Sequence, residues 1–469
     1  MTESDIGLIG LGTMGAMLAL NIAEKGFQVS VFNRTTSTTK AFSETAGLLA
    51  ERITPCETLE DLITTIKKPR AIILMVPAGS AVDEQISALR PLLDVDDMII
   101  DAGNANFHDT IRRADEAASI GSPFLGIGVS GGEEGARHGP SIMGGGSKAS
   151  WNQISHILTA ISAKYDATPC ATWMGEGGAG HFVKTVHNGI EYADMQMIAE
   201  IYGVMRDGLK LNTTECSEIF ARWNTGPLQS YLTEVSAKVS AATDPETGQP
   251  MLDVILDRAG QKGTGRWTAI EAQHLAAAIP VIEAAVTARN LSAQLETRQN
   301  GECLFGSAPR ILPEGCLSVD DLEAALIAGK VLCYTQGFAL LSASNPVFGW
   351  SLPLPEIAKV WRDGCIIRSS MLNDMASALS QSPDQNLMFA PFFSDILKSN
   401  HNALRHVVTT GMTHGLPLPA LASALSYFDM MRTSRSTANM IQAQRDFFGA
   451  HSFERLDQEG AHHGPWGSH

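Results

Sequence analysis

The chain has 469 residues, of which 44% are hydrophobic and 18% charged, and its 34 Lys and Arg against 50 Asp and Glu give a formal net charge of −16 at pH 7. Such a composition is typical of a folded globular protein and excludes a large disordered segment. Because so acidic a chain has no general attraction for phosphate arrays, we expect neither nucleic acid nor an anionic membrane as a partner.

The cysteines and the start of the chain favour a cytoplasmic protein. The seven cysteines are widely spaced and include no C-x-x-C pair, which is evidence against a disulfide framework or a cysteine zinc site. Glu3 and Asp5 stand where a secretory signal peptide carries basic residues. No uninterrupted apolar run reaches the roughly 20 residues that a membrane-spanning helix needs.

Residues 1–178 alternate short apolar runs with helical patterns, as βα units do. The apolar runs predict five strands: DIGLIG, FQVSVFN, RAIILMVP, DMIIDAG and SPFLGIGVS. Most of these runs are apolar throughout, which is typical of a parallel sheet that is covered on both faces. This part of the chain is therefore predicted to be an α/β domain.

After Gly180 the strand pattern fades and long helical patterns follow at 180–207, 268–300, 318–345 and 402–411. We expect a large all-α domain over residues 179–434. Residues 435–469 end in a stretch too rich in Gly and His to form a core of its own, so we expect an extended C-terminal tail that lies along another surface. Its terminal histidines, His462, His463 and His469, are predicted to face solvent.

A glycine-rich turn joins the first predicted strand to a helix. It comprises Gly10, Leu11, Gly12, Thr13, Met14 and Gly15. Between a strand and a helix, G-x-G-x-x-G indicates a Rossmann-like dinucleotide site: the first glycine permits the turn, the second admits a pyrophosphate and the third lets the helix pack on the strand. Glycines that serve only a tight turn are the alternative.

The end of the second predicted strand bears on the choice of coenzyme. Asn33, Arg34 and Thr35 occupy the place where an NAD enzyme usually has Asp or Glu. Arg34 can bind a ribose 2′-phosphate that a carboxylate would repel, and Thr35 can add a hydroxyl. We therefore predict NADP rather than NAD, with a solvated surface arginine as the alternative.

Four polar residues lie at i, i+3, i+4 and i+7 on one face of the first long helix: Lys184, His187, Asn188 and Glu191. On its own this pattern predicts an amphipathic surface helix whose polar side meets water. Further along, the same side becomes apolar through Met195, Ile198 and Ala199. That change favours a helix that is buried on all sides after its first turns, with the four polar residues lining an interior cleft.

Five further segments carry a family resemblance: GIGVSGGEEGARHGPSIMGGG (126–146), DRAGQKGTGRWT (257–268), ARNLS around Arg289, WRDGCIIRS (361–369) and IQAQRDFFGAHSFE (441–454). With the glycine-rich turn and the first long helix, they make the chain resemble the 6-phosphogluconate dehydrogenase family. The resemblance runs nearly from end to end, in the family's order and spacing.

This resemblance implies oxidative decarboxylation of 6-phosphogluconate to ribulose 5-phosphate and carbon dioxide, with reduction of NADP, in the pentose phosphate pathway and in gluconate utilization. It also implies a homodimer in which the tail of one subunit reaches the active site of the other. The coenzyme contacts that it adds to the glycine-rich turn are Val76, Ala78 and Asn104.

The resemblance also implies a role for each site residue. Lys184 matches the general base and Glu191 the general acid, with His187 and Asn188 beside them. The carboxylate end of the substrate would meet Asn104, Ser130, Gly131, Gly132, His187 and Asn188. Its phosphate end would meet Tyr192, Lys262, Thr264 and Arg289, together with Arg445 and His451 from the partner subunit.

The implied chemistry suits a buried lysine and needs no metal. Lys184 can take a hydroxyl proton only when it is neutral, and burial commonly lowers the pKa of a catalytic lysine from about 10.4 towards about 7 to 8. Oxidation gives a β-keto acid, whose carbonyl group accepts the electron pair of the carbon–carbon bond that breaks when carbon dioxide is released. A metal ion is therefore not needed for this step. Asp94, Asp96 and Asp97 are predicted to form a solvated turn rather than a metal site.

Some positions depart from the family pattern. Gly12 stands where the family commonly has alanine, Pro77 replaces a usual lysine, and DAGNANFHDT (101–110) differs from DGGNSEYRDT while keeping Asn104. Two other functions remain open: a non-decarboxylating β-hydroxyacid dehydrogenase, which would lack the long helical domain and the tail, and a non-catalytic NADP-binding regulator.

Overall fold

The computed structural model describes residues 3–308 and 311–466. Its first part contains ten strands: β1 (Ile6–Ile9), β2 (Val29–Phe32), β3 (Ile53–Pro55), β4 (Ala71–Leu74), β5 (Met98–Asp101), β6 (Phe124–Ser130), β7 (Ser141–Gly146), β8 (Lys164–Tyr165), β9 (Thr168–Pro169) and β10 (Ala171–Gly175). Seven helices lie between them: α1 (Thr13–Glu24), α2 (Thr36–Thr45), α3 (Leu59–Thr65), α4 (Ser80–Leu89), α5 (Phe107–Ser119), α6 (Gly132–His138) and α7 (Lys148–Ile161).

Eight of these strands form one sheet in the order β10-β7-β6-β5-β4-β1-β2-β3, while β8 and β9 pair as a separate hairpin. All neighbours in the sheet are parallel except β6 and β7, which are antiparallel. The five predicted strands are confirmed as β1, β2, β4, β5 and β6. The prediction missed β7, which reads SIMGGG, because three glycines mask its apolar character.

The sheet is covered on both faces, as its apolar strands predict. On one face, Leu18 of α1 and Trp151 of α7 pack on the strands. On the other face, Leu62, Val82 and Ala117 bring α3, α4 and α5 against the sheet. Because both faces are buried, the polar groups that could bind a ligand are left at the ends of the strands.

The second part is helical and contains α8 (Ala179–Gly203), α9 (Thr213–Trp223), α10 (Tyr231–Ala241), α11 (Met251–Val254), α12 (Thr264–His274), α13 (Pro280–Ser292), α14 (Leu295–Phe305), α15 (Val319–Phe348), α16 (Leu354–Val360), α17 (Met371–Gln381), α18 (Pro391–Thr413) and α19 (Pro419–Met431). The Rossmann-like first part and the all-α second part confirm the predicted fold class. The domain limits 1–178, 179–434 and 435–469 remain predictions.

The helical pattern at 268–300 does not form one continuous helix. It is divided among α12, α13 and α14. Ala276 has φ +50°, which no helix continues through, and Pro280 then begins α13. The pattern at 318–345 is confirmed as α15, while that at 402–411 is the second half of the longer α18.

Helix α8 is the centre of the molecule, and its burial differs from the expectation. Residues 179–190 are buried on every side, between β6 and β7 of the sheet and α12, α13 and α15 of the helical part. The apolar extension is not wholly buried, because Met195 is 41% exposed and Ala199 is also exposed. The expectation of burial after the first turns was therefore wrong, since the first turns are the buried ones.

Two buried acidic side chains on α8 contact other helices. Asp194 accepts a hydrogen bond from Lys330 Nζ of α15 at 2.9 Å, and Ser230 Oγ accepts from the same nitrogen at 3.2 Å. The Glu200 carboxylate accepts from the backbone N–H groups of Ala420 and Leu421 at 2.8 and 2.9 Å, where α19 begins. These contacts fix α8 against its neighbours, because removing one partner would leave a buried charge uncompensated.

Helix α15 is long and apolar enough to cross a membrane by length and composition, and it is the one such helix in the described ranges. However, 89% of its most apolar window is buried inside the protein, and the helix packs on α8, α18 and α19. Its apolar character is therefore explained by its central position in the helical core.

The C-terminal segment contains α20 (Ala438–Gly449) and a small hairpin of β11 (Phe453–Glu454) and β12 (Ala461–His462). The Asp446 carboxylate holds it together by accepting from the backbone N–H groups of Ser452 and Gly464 and from Trp466 Nε1, at 2.7 to 2.9 Å. Large apolar side chains remain exposed on it: Met440, Ile441, Phe448 and Leu456. Residues 467–469, including His469, lie outside the described residues.

Candidate active site

The glycine-rich turn has the geometry that a dinucleotide needs. Gly10 has φ +99°, and a Cβ there would overlap the carbonyl of Met75. A Cβ on Gly15 would overlap the carbonyl of Gly10, so that position lets α1 approach β1. A Cβ on Gly12 would meet nothing within 4 Å, which leaves open space at the start of α1, beside the exposed Thr13 and the half-buried Met14. An anion in this space would face the positive end of the helix.

The three predicted coenzyme residues at the end of β2 have different surroundings. Asn33 Oδ1 accepts from Leu11 N at 3.0 Å, so this side chain holds the glycine-rich turn. Arg34 and Thr35 are exposed at the start of α2, and Arg34 forms no ion pair with any residue in the described ranges. Arg34 is therefore free to contact a ligand at the edge where β1 and β2 end.

The loops after β4 and β5 carry the other predicted coenzyme contacts: Val76, Ala78 and Asn104, with Pro77 between the first two. A buried arginine in α5 supports both loops. Arg113 donates to Gly79 O at 3.0 Å after β4, to Asp101 Oδ2 at 3.3 Å at the end of β5, and to both oxygens of Asp83. The sequence analysis missed this support, because Arg113 is one of several charged residues on an amphipathic helix.

The end of β6 meets the polar face of α8. The Lys184 Nζ atom lies 3.1 Å from Ser130 Oγ, 3.2 Å from His187 Nδ1 and 2.7 Å from Asn188 Oδ1. Ser130 Oγ also lies 3.3 Å from His187 Nε2, and Asn188 Nδ2 donates to Asn104 Oδ1 at 3.3 Å. Five of the predicted site residues are thus joined in one hydrogen-bonded cluster that spans both parts of the fold.

Glycines bring the strand and the helix this close. A Cβ on Gly128 of β6 would overlap the Cβ of Lys184, so α8 packs directly on the strand backbone. Gly131 follows with φ +116°, and a Cβ there would lie 2.6 Å from Gly364 O. Gly132 begins α6 and faces open space. Gly132 therefore leaves backbone near the cluster accessible to a ligand, while Gly131 provides the close packing against Gly364.

Burial shifts the pKa values of Lys184, His187 and Glu191, in each case towards the neutral form of the side chain. Burial lowers the pKa of Lys184, although the negative charge of Glu191 opposes that shift. Burial and the nearby Lys184 hold the pKa of His187 well below its usual value, so the imidazole is neutral. Burial raises the pKa of Glu191, whose side chain remains 21% exposed and lies 3.8 Å from His187 Nδ1. A lysine that can lose a proton thus neighbours a carboxyl that can keep one.

A second group of predicted residues lies one turn further along α8. The Arg289 guanidinium of α13 stacks 3.5 Å above the Tyr192 ring and donates to Gly260 O at 3.2 Å. Lys262 is exposed in the loop that this contact holds, and Thr264 begins α12. Thr268 Oγ1 donates to Thr185 O at 2.7 Å and fixes α12 to α8. Arg289 and the N-terminus of α12 thus lie beside Tyr192, with Lys262 in the loop that precedes this helix, an arrangement suited to an anion.

Arg445 and His451 are not connected to this cleft within one chain. Arg445 lies on α20, where it donates to Gln442 Oε1 at 3.0 Å, and His451 follows that helix. In the described part of the chain, the side-chain hydrogen bonds of residues 438–466 all join residues of that segment. That Arg445 and His451 complete the active site of another subunit remains a prediction.

Comparisons with known proteins identify the family of the chain. Residues 5–175 match the model of the NAD binding domain of 6-phosphogluconate dehydrogenase, and residues 180–466 match that of its C-terminal domain. Two proteins of Bacillus subtilis are similar over 99% of this chain: an NADP(+)-dependent decarboxylating 6-phosphogluconate dehydrogenase is 46% identical over 100% of its length, and an NAD(+)-dependent one is 45% identical over 99% of its length.

A solved structure of Plasmodium falciparum 6-phosphogluconate dehydrogenase superposes with a TM-score of 0.95 at 41% identity, over 98% of this chain and 100% of that one. That protein is described in its apo form, in complex with its cofactor NADP+ and in complex with its substrate 6-phosphogluconate. The fold and site define an oxidoreductase that uses a nicotinamide dinucleotide. The chain belongs to the 6-phosphogluconate dehydrogenase family, which confirms the resemblance seen in the sequence.

The close contact at Gly128 gives a test of how the cluster is built. We expect Gly128→Ala to lower the free energy of unfolding by about 1–3 kcal/mol, because its methyl group would overlap Lys184. Chemical denaturation measures the change. Gly203→Ala is the matched control, since a Cβ at that position of α8 meets nothing within 4 Å. Equal stability of the two variants would contradict the close packing.

Proposed function

We propose that this protein oxidises and decarboxylates 6-phosphogluconate to ribulose 5-phosphate and carbon dioxide, with reduction of NADP. The observation that carries the proposal is the cluster of Lys184, Ser130, His187 and Asn188, with Glu191 beside it in the same cleft. Support comes from the decarboxylating 6-phosphogluconate dehydrogenases of Bacillus subtilis and from the Plasmodium falciparum complexes with NADP+ and 6-phosphogluconate.

The substrate would bind along α8. Its carboxylate end would be bound by Ser130, His187, Asn188 and Asn104 together with the backbone of Gly131 and the open backbone of Gly132. Its phosphate end would be bound by Tyr192, Lys262, Thr264 and Arg289, which present two positive charges and the N-terminus of α12. The reacting carbons would then lie opposite the segment between Lys184 and Glu191.

In the oxidation step, neutral Lys184 takes the proton of the substrate hydroxyl group. Burial favours this neutral form, and Asn188 Oδ1 at 2.7 Å orients the amine. NADP, when bound, supplies the carbon that accepts the hydride. The exposed turn at Gly12 and the side chains of Val76, Ala78 and Asn104 would hold it at the strand ends.

In the decarboxylation step, Lys184 has become an ammonium and donates a hydrogen bond to the new carbonyl oxygen. That oxygen accepts the electron pair released with carbon dioxide, so the step requires no metal ion. Glu191 then gives its proton to the carbon of the enediol, which its raised pKa allows. Of the described residues, one group of three side chains could share a metal ion, namely His108, Glu271 and His274, and it contains none of these catalytic groups.

The coenzyme preference rests on Arg34 and Thr35. The Arg34 guanidinium is exposed and has no ion-pair partner in the described ranges. With the Thr35 hydroxyl at the start of α2, it suits the 2′-phosphate of NADP. Because the similar Bacillus subtilis proteins include both an NADP-dependent and an NAD-dependent form, NADP is our proposal from these residues.

We further propose a cytoplasmic homodimer that acts in the oxidative pentose phosphate pathway and in gluconate utilization. The exposed apolar side chains Met440, Ile441 and Phe448 on α20 favour a tail that packs on another subunit. Arg445 and His451 of that tail would then reach the phosphate end of the partner's cleft. All seven cysteines are unpaired, as expected in a reducing compartment.

An assay with purified protein, 6-phosphogluconate and NADP tests the proposal directly. We expect one carbon dioxide released for each NADPH formed. A non-decarboxylating β-hydroxyacid dehydrogenase would form NADPH without carbon dioxide, and a regulator would do neither. We expect kcat/KM to fall at low pH, where Lys184 holds its proton, and at high pH, where Glu191 loses its proton.

The same assay assigns the two groups. We expect Lys184→Ala and Glu191→Gln each to lower kcat by about 10²–10⁴-fold, and Glu191→Gln to lose the fall at high pH. Lys398→Ala, which removes an exposed lysine of α18, is the control and should retain full activity. A Glu191→Gln enzyme with an unchanged pH profile would exclude this carboxyl as the acid.

Substitution of Arg34 tests the coenzyme preference. We expect Arg34→Ala to raise the KM for NADP by about 10–100-fold, since a charge-assisted hydrogen bond contributes about 1.5–3 kcal/mol, and to leave the KM for NAD nearly unchanged. Arg34→Lys should be intermediate, because it keeps the charge but loses the planar fork. An equal loss with both coenzymes would show that Arg34 does not read the 2′-phosphate.

Subunit mixing tests the shared site. We expect inactive Lys184→Ala and Arg445→Ala chains to regain about a quarter of wild-type activity after exchange, because half of the dimers are mixed and each has one intact site of two. A mixture of Lys184→Ala with Glu191→Gln is the control and should not recover, since both residues belong to the same part of each site. Failure of the first mixture to recover would exclude the shared arrangement.

A further inference from the structure

Two histidines and a glutamate meet between the two parts of the fold. His108, in the first turn of α5, places Nε2 2.9 Å from Glu271 Oε2 of α12. His274, one turn after Glu271 on the same helix, places Nδ1 3.4 Å from that oxygen. The three ligand atoms all lie within 4.8 Å of one another.

The Glu271 carboxylate is buried without a permanently charged partner. Its side chain is only 5% exposed, and among the described residues its ion-pair partners are His108 and His274. Both partners are imidazoles, which lack the permanent charge of a lysine or arginine and can serve as ligands of a metal ion. Buried charges are normally paired or bound to a metal ion.

The surroundings leave this group accessible yet partly ordered. The His108 ring packs on Phe107 with 4.0 Å between ring centroids, and its edge faces Phe348. The side chains of His108 and His274 are 51% and 64% exposed. An ion can therefore enter from solvent, and water can occupy the coordination positions that the protein does not fill.

We propose that His108 Nε2, Glu271 Oε2 and His274 Nδ1 bind a divalent transition metal ion, with zinc as the best match. Two imidazoles and one carboxylate form a common protein ligand set for zinc. Around a tetrahedral zinc ion with bonds of about 2.0–2.1 Å, ligand atoms stand roughly 3.3 Å apart. The distances of 2.9 and 3.4 Å to Glu271 already approach that spacing.

The ion would link α5, which follows the coenzyme loop at Asn104, to α12, which begins at the predicted phosphate contact Thr264. Helix α5 begins three residues after Asn104, and α12 begins at Thr264. A metal ion bound by residues of both helices stabilises the folded arrangement of the two parts, since the unfolded chain does not hold the three ligands together. This site is independent of the catalytic proposal, because none of its ligands belongs to the Lys184 cluster.

Isothermal titration of the chelator-treated, desalted full-length protein with zinc chloride tests this site. We expect one zinc ion per chain and a higher melting temperature with zinc than without it. Cobalt(II) in place of zinc should give the visible absorption of a site with nitrogen and oxygen ligands. Absence of stoichiometric binding would exclude the site.

Substitutions assign the ligands. We expect His274→Ala and His108→Arg each to weaken zinc binding by at least about 100-fold, as the loss of a ligand does. Arginine cannot bind the metal but can pair with Glu271, so the second variant should fold without zinc. His156→Ala removes an exposed histidine of α7 and is the control. If zinc binding survives both substitutions and is lost only in His462→Ala, the ion binds the tail and the proposal is wrong.

Discussion

The structure depends on one close contact, in which the first turns of α8 pack against the bare backbone of β6. Because Gly128 has no side chain, the Lys184 stem lies on the strand and its amine reaches Ser130 at the strand end. This contact joins the sheet to the helical part and buries a lysine in the same place. Helices α12, α13, α15 and α19 of the second part then contact α8 from the other side.

The two buried lysines of this core differ in whether a carboxylate contacts the amine directly. Lys330 is fully buried but lies 2.9 Å from Asp194, so its charge is compensated and its role is to hold α15 against α8. Lys184 is bound by Ser130, His187 and Asn188, none of which carries a charge, and its pKa is lowered. The two lysines therefore differ in the partners that they contact rather than in their burial.

Much of this site could be predicted from local sequence, because the glycine-rich turn and the spacing of Lys184, His187, Asn188 and Glu191 are short-range patterns. What could not be predicted depends on contacts between distant residues. Arg113 contacts Gly79 and Asp83, which lie 34 and 30 residues before it in the sequence. His108 contacts Glu271 across 163 residues. The sequence analysis also did not predict that the helical pattern is interrupted at Ala276, because no sequence pattern indicates a positive φ at an alanine.

Lys184 and Glu191 share one uninterrupted helix, and this has a consequence for how the enzyme could change. Seven residues of α-helix fix their separation at roughly 10 Å along the axis and nearly align them around it. Insertion or deletion of a single residue between them would rotate one away from the other by about 100°. The distance between the Lys184 amine and the Glu191 carboxyl is thus set by helical pitch, and point substitutions elsewhere can adjust their acidity without altering their spacing.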